Sequence, residues 1–184
     1  MFGRQRKAPI AEEDRKIVDR DRSRERTMNR AIRLLAAKPR SIAEIRDRLL
    51  EKPWTDAEIV DAVIAKLKEY NYLDDDQYAR DLALSKLRQK PQGRRKLEQR
   101  LSQKKLDRPT LDTAIKAAYE ILPESELIDT AVEKRIRLKG TPKTHEERKK
   151  FTEQLLRQGF DYSLIREKLQ MLESEKTSTS NNDI

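Results

Sequence analysis

Apolar residues recur along this chain at the spacing of helices. Ile59, Ala62, Val63, Leu67 and Tyr70 form one stripe, and Leu111, Ala114, Ile115, Ala118 and Leu122 form a second. Leu164, Ile165, Lys168, Leu169 and Leu172 nearly repeat it. Positions three and four apart share one face of a helix, so each stripe predicts an amphipathic helix. No segment alternates with period two between turn signals, so no strand is predicted. Helix starts are marked by Ser41-Ile42-Ala43-Glu44, Thr55-Asp56-Ala57-Glu58 and Thr144-His145-Glu146-Glu147, all of capping-box form. Asp107 before Pro109, and Asp161 before Tyr162, read as two further starts. Pro39, Pro53, Pro91, Pro123, Gly140 and Gly159 supply the stops. The result is nine helices, preceded by a charged helical segment around residues 10–26.

The nine helices form a repeat. Ile45, Leu49, Trp54, Ile59 and Val63 align with Leu97, Leu101, Leu106, Leu111 and Ile115, and then with Phe151, Leu155, Phe160, Ile165 and Leu169. The copies are offset by 52 and then 54 residues, with identical internal spacing. Each unit of about 50 residues is a three-helix bundle too small to be robust alone, so neighbours are expected to pack together. The predicted organisation is a charged N-terminal arm at 1–26, repeats at 27–73, 74–122 and 123–173, and a disordered tail at 174–184.

Composition sharpens this picture. Only 35% of the 184 residues are hydrophobic and 41% are charged, well above the roughly 25% charged residues of a compact globule. An elongated chain of thin helical layers suits that ratio better than one large core. The balance of 42 Lys and Arg against 33 Asp and Glu favours nucleic acid or an acidic protein surface as partner. There is no cysteine, which excludes disulfides, thiolate metal sites and cysteine nucleophiles. No apolar run approaches the ~20 residues needed to span a bilayer, and residues 1–26 lack the apolar core of a signal peptide. A cytoplasmic protein without membrane contact is expected.

The positive charge is concentrated. Lys86, Arg88, Lys90, Arg94, Arg95, Lys96, Arg100, Lys104 and Lys105 face a single acid, Glu98, within 20 residues. A second patch comprises Lys134, Arg135, Arg137, Lys139, Lys143, Arg148, Lys149 and Lys150, opposed by Glu146 and Glu147. Both are candidate surfaces for DNA or an acidic partner. Residues 54–78, by contrast, carry seven acids and two lysines. Asp74-Asp75-Asp76 is read as a helix cap rather than a metal site, because adjacent carboxylates at a helix start do not converge on one point. His145, the single histidine, has no triad or ligand partner nearby in sequence. Trp54, Leu106 and Phe160 share one repeat position and are read as core plugs. Tyr70, Tyr72 and Tyr78 are expected to pack at the junction between the first two repeats. No Gly-rich phosphate loop is present, and no catalytic constellation, cofactor site or metal site is expected. These features leave open a helix-turn-helix DNA binder, a helical scaffold and a regulator acting through a partner.

Several segments carry a family resemblance. Arg48-Leu49-Leu50-Glu51-Lys52-Pro53-Trp54 leads to Tyr72-Leu73-Asp74-Asp75-Asp76-Gln77-Tyr78-Ala79. Gln92-Gly93-Arg94-Arg95-Lys96-Leu97, Leu101-Ser102-Gln103-Lys104-Lys105-Leu106 and Leu155-Leu156-Arg157-Gln158-Gly159-Phe160 follow. In this order, over residues 27–172, the chain resembles the RecX family of RecA regulators, with its three tandem three-helix repeats and Tyr-Leu-Asp-Asp junction. It departs from the family at Pro53 and Lys105, which stand at turn positions usually held by glycine, and at Asn71, which replaces the glycine before the junction tyrosine. The resemblance implies an elongated, curved, monomeric protein that is not an enzyme. It implies binding to the RecA filament on DNA, with weak direct contact to the DNA, and restraint of filament growth, ATP hydrolysis and strand exchange. The two basic patches are then the expected contact residues in recombination, DNA repair and the SOS response.

Overall fold

The computed structural model describes residues 10–180, with side chains through Ser174. It is all-α: α1 (Arg20–Ala37), α2 (Ile42–Leu50), α3 (Ala57–Glu69), α4 (Asp75–Gln89), α5 (Arg94–Leu101), α6 (Arg108–Ile121), α7 (Glu124–Lys139), α8 (His145–Arg157) and α9 (Tyr162–Ser180). Short 3₁₀ turns cover Glu12–Asp14 and Ser102–Lys104, and the described residues contain no strand. The helices follow the repeat read from the sequence, three to a unit. Of its fifteen matched positions, all but Trp54 and Leu169 are buried.

The start of the chain differs from expectation in one respect. The charged segment does not form a separate helix, because Arg20–Arg26 are the opening turns of α1. No proline or glycine lies between Asp19 and Ala37, so once nucleated the helix propagates. At the other end, α9 continues to Ser180, past the tail boundary expected at 174. No glycine or proline follows Gly159 to stop it. Residues 1–9 and 181–184 of the expected arm and tail lie outside the described residues.

Caps set the helix starts. Ser41 and Thr144 head complete capping boxes with Glu44 and Glu147. The start of α3 moves by one residue from that expected: Asp56, not Thr55, accepts from the Ile59 amide at 2.7 Å, as a carboxylate is the stronger acceptor for free helix amides. Asp74 caps α4 through the Gln77 amide at 3.0 Å. Asp75 turns to another helix and accepts from the Ile42 amide at 2.9 Å, satisfying the first turn of α2.

The chain divides into two compact units, Met1–Tyr78 with Lys104–Leu106, and Ala79–Gln103 with Asp107–Ile184. In the first, Ala31, Ile45, Leu49, Val60, Val63, Ile64, Leu67 and Leu73 form the core, flanked by Met28, Leu34, Leu35, Ile42 and Leu50. The buried face of α3 is rotated slightly from the predicted stripe, with Val60 and Ile64 inside and Ala62 outside. The larger β-branched side chains take the interior, where apolar area counts most. In the second unit, Leu97, Leu101, Ile128, Phe151, Leu155, Phe160 and Ile165 are almost wholly buried. Tyr70 and Tyr72 do not pack at the junction; they are 53% and 67% exposed. The loop carrying them is tight, with Asn71 in the left-handed region at φ 58°.

One joint recurs in the turn after each middle helix. The Gly93 amide donates to the Gln158 carbonyl at 3.0 Å. One repeat earlier, the Ser41 hydroxyl donates to the Lys104 carbonyl at 2.6 Å. In the first repeat the matching carbonyl belongs to Lys52 and accepts from the Arg15 guanidinium at 3.4 Å, while the Lys16 amide donates to Pro53 at 2.6 Å. The N-terminal segment therefore fills the place that a preceding repeat takes in the other two joints. Lys105 (φ 56°) and Gly159 (φ 88°) hold equivalent left-handed positions, so Lys105 keeps the turn despite the missing glycine. Pro53 cannot adopt that conformation, and the first turn takes a different form.

Candidate interaction surfaces

The first basic patch separates into three groups. Lys104 and Lys105 are drawn into the first compact unit, where they pair with Glu44 (3.4 Å) and Asp47. Lys96 is half-buried, with Nζ 2.8 Å from the Gln99 side chain, and Arg94 lies over the Tyr119 ring at 5.3 Å. Arg88, Lys90 and Arg95 are exposed and form no salt bridge among the described residues, and the same holds for half-buried Lys86 and Arg100. Beside them, Tyr119 donates to the Gln92 carbonyl at 3.0 Å. Glu124, raised above the ordinary carboxyl range by burial, accepts from the Arg94 amide at 3.1 Å. These contacts fix the start of α5 and hence the direction in which Arg95 points.

In the second patch, Arg148 pairs with Glu173 at 2.8 Å and Lys150 with Glu146 at 2.6 Å. Arg135 bonds Gln154 at 2.8 Å and faces Phe151. Lys143 lies beside the Glu147 carboxylate, which caps α8. Lys134, Arg137, Lys139 and Lys149 remain exposed without a salt bridge among the described residues. The acidic stretch 54–78 is largely consumed locally. Asp56 and Glu58 hold Arg20, Asp61 holds Arg46 at 2.9 Å, and Asp74 and Asp75 are caps. No three His, Cys, Asp or Glu among the described residues are placed to hold a metal ion, and none of the described helices is long and apolar enough to cross a membrane.

A third basic surface went unnoticed in the sequence. It is an open groove of about 930 Å³ along α1, lined by Lys16, Arg22, Arg26, Arg30, Arg33 and Trp54 among others. Arg26 lies flat over the Trp54 ring at 3.8 Å. Trp54 is thus a half-buried wall of this groove and not the core plug expected; Phe160 and Leu106, at the same repeat position, are buried. Their outer faces have chain packed over them, whereas Trp54 has Arg26. The four arginines recur at helical spacing in the sequence, with Asp21 and Glu25 next to them. In the helix Asp21 lies outside the groove and pairs with Arg24, while Glu25 and Asp19 line it beside the arginines, which still outnumber them.

Nine helices in three-helix repeats, with rows of surface cations that form no salt bridge among the described residues, define an all-α helical-repeat protein. Profiles of the RecX first and second three-helix domains match residues 28–67 and 74–115. The regulatory protein RecX of Chlorobaculum tepidum is 33% identical over 154 residues, covering 83% of this chain and 92% of that one. That of Prosthecochloris aestuarii is 34% identical over 152 residues, covering 83% and 97%. The crystal structure of RecX from Lactobacillus salivarius superposes with a TM-score of 0.74 at 22% identity, over 83% of this chain and 98% of the other. The chain belongs to the RecX family of regulatory proteins.

Proposed function

We propose that this protein is a cytoplasmic, monomeric regulator that binds the RecA nucleoprotein filament and restrains its growth, ATP hydrolysis and strand exchange. It acts by binding and not by catalysis. The observation that carries the reading, beside family membership, is the set of exposed cations Arg88, Lys90 and Arg95, which have no salt bridge among the described residues. A filament on DNA offers both phosphates and acidic side chains, and Arg suits either through paired hydrogen bonds. Lys134, Arg137, Lys139 and Lys149 extend the contact, and part of it falls on DNA directly and weakly. Lys104 and Lys105 are assigned to the fold instead, because their charges are engaged by Glu44 and Asp47.

The test is RecA's DNA-dependent ATP hydrolysis with the protein titrated in from far below one per RecA subunit. Wild type should inhibit at low ratios. R88A/K90A/R95A should lose most of that inhibition while keeping its melting temperature, since all three side chains are exposed. Inhibition by the triple variant equal to wild type would remove this surface from the mechanism. No inhibition by wild type up to equimolar amounts would remove the function itself.

A further inference from the structure

The arm and first helix carry seven arginines between residues 15 and 33 that fall into two populations. Arg15, Arg20 and Arg24 pair with Glu12, Asp56 and Glu58, and Asp21. Arg22, Arg26, Arg30 and Arg33 form no salt bridge among the described residues and line one groove, in which they and Lys16 outnumber the acids Asp19 and Glu25 by five to two. Successive members are four, four and three residues apart, so they stay within one narrow face of α1. At 1.5 Å rise per residue they stand about 6, 6 and 4.5 Å apart along the axis. Arg30 is partly buried, and desolvation lowers its pKa, with the Glu51 charge offsetting part of that effect. Its Nε and the Nε1 of Trp54 are buried donors with no acceptor among the described residues.

A row of evenly spaced guanidinium groups matches a polymer that repeats its own charge, and would be wasted on one carboxylate. The stacked Arg26–Trp54 pair adds a planar layer beside the row. Cationic grooves with aromatic or guanidinium planes are how proteins hold single-stranded nucleic acid, the charges following the backbone and the planes taking bases. An acidic peptide would have no use for the plane. Most of the groove, residues 16–26, lies before the first matched family domain, which begins at residue 28.

We infer that the α1 groove binds single-stranded nucleic acid, with Arg22, Arg26, Arg30 and Arg33 on successive phosphates and the Arg26–Trp54 layer against a base. This deepens the direct DNA contact proposed above and rests on that part of the reading. It places that contact on a surface separate from Arg88, Lys90 and Arg95.

Trp54 is the sole tryptophan and reports on its own groove. The full chain is titrated with oligothymidylate while Trp54 emission is followed at several salt concentrations. Emission should change saturably, and affinity should fall steeply with salt. R22Q/R26Q/R33Q should lose at least tenfold in affinity, and its log–log salt slope should shrink by about 2, at roughly 0.7 per phosphate contact on a single strand. If the triple variant melts early, R33Q alone, an exposed change, should reduce the slope by about 0.7. R88A/K90A/R95A should keep the Trp54 response. Unchanged slopes in the groove variants would overturn the assignment. So would a Trp54 response to polyglutamate but not to oligothymidylate, which would mark a protein partner, or no response to either. RecA ATP hydrolysis measured on the same variants separates the two readings. In R88A/K90A/R95A, lost inhibition with intact oligothymidylate binding supports the groove as a site distinct from the filament surface, whereas kept inhibition counts against the filament surface alone.

Discussion

Three glycines separate the two costs that a β-carbon can impose, and one set of variants measures them. Gly140 has φ 75° and open space around its missing side chain, so G140A adds backbone strain alone. With ψ 171° it lies in the extended positive-φ region essentially confined to glycine, and an alanine there costs roughly 1–3 kcal/mol. Gly93 has φ −80°, ordinary for any residue, but its added carbon would fall inside the Gly159 carbonyl and the Phe160 amide. Both obstacles are backbone, so relief requires opening the joint and losing the 3.0 Å bond from Gly93 to Gln158. Overpacking costs about 1–3 kcal/mol and the bond about 1 more, with roughly 0.4–1 kcal/mol returned by the stiffer unfolded chain. G93A should therefore cost about 1–3.5 kcal/mol. Gly159 combines φ 88° with a collision against the Lys96 backbone, so G159A should be the worst of the three, at about 3–5 kcal/mol. Thermal melts followed by far-UV circular dichroism read these as falls of roughly 4–8 °C per kcal/mol for a unit of this size. The double variant G93A/G159A should fall short of the sum, because either change opens the same joint. If G93A melts no lower than wild type, the close approach of the two backbones is wrong.

Phe160 and Trp54 occupy one repeat position but differ in surroundings. F160A should cost about 3–5 kcal/mol, as for a buried aromatic, and W54A clearly less, with equal losses in urea titrations ruling out the half-buried placement. T144A should cost about 1 kcal/mol by removing the α8 cap, measured as faster amide exchange in the first turn of α8. That turn should also loosen in acid. The Thr144 and Lys143 amides hold the Glu147 carboxyl below its ordinary value. A depressed carboxyl contributes stability above its unfolded value, and that contribution is lost as pH falls through the folded one. Protection in residues 144–147, taken relative to intrinsic exchange at each pH, that does not fall on acidification below about pH 4.5 would contradict it.

The local half of this architecture was legible in the sequence, because its causes are local. Ser41, Asp107 and Thr144 cap as expected, since a cap is decided within four residues. The five-position apolar register placed buried residues in all three repeats, with Trp54 and Leu169 the exceptions, as a repeated environment imposes repeated side chains. What stayed hidden depends on partners far along the chain. Lys104 and Lys105 belong to a basic run in sequence, yet their carboxylates lie 60 and 58 residues away. The difference between Trp54 and Phe160 is likewise a matter of what covers each. The Thr55-to-Asp56 shift is of another kind, a competition between two acceptors one residue apart. The arginine row on α1 is present in the spacing of Arg22, Arg26, Arg30 and Arg33, but the groove it lines depends on Trp54, more than 20 residues further along the chain.

Arg15 and Lys16 give this repeat protein a polarity. At its front, the turn Lys52–Pro53 is already closed by donors from the chain's own leading segment. Behind the third repeat, the start of α8 at Thr144 is exposed, where the starts of α2 and α5 each meet a following turn. An added unit would find a ready seat behind but would have to evict Arg15 in front. Lengthening by duplication is thus easier in one direction, and the front of the array is the end free to acquire a surface of its own.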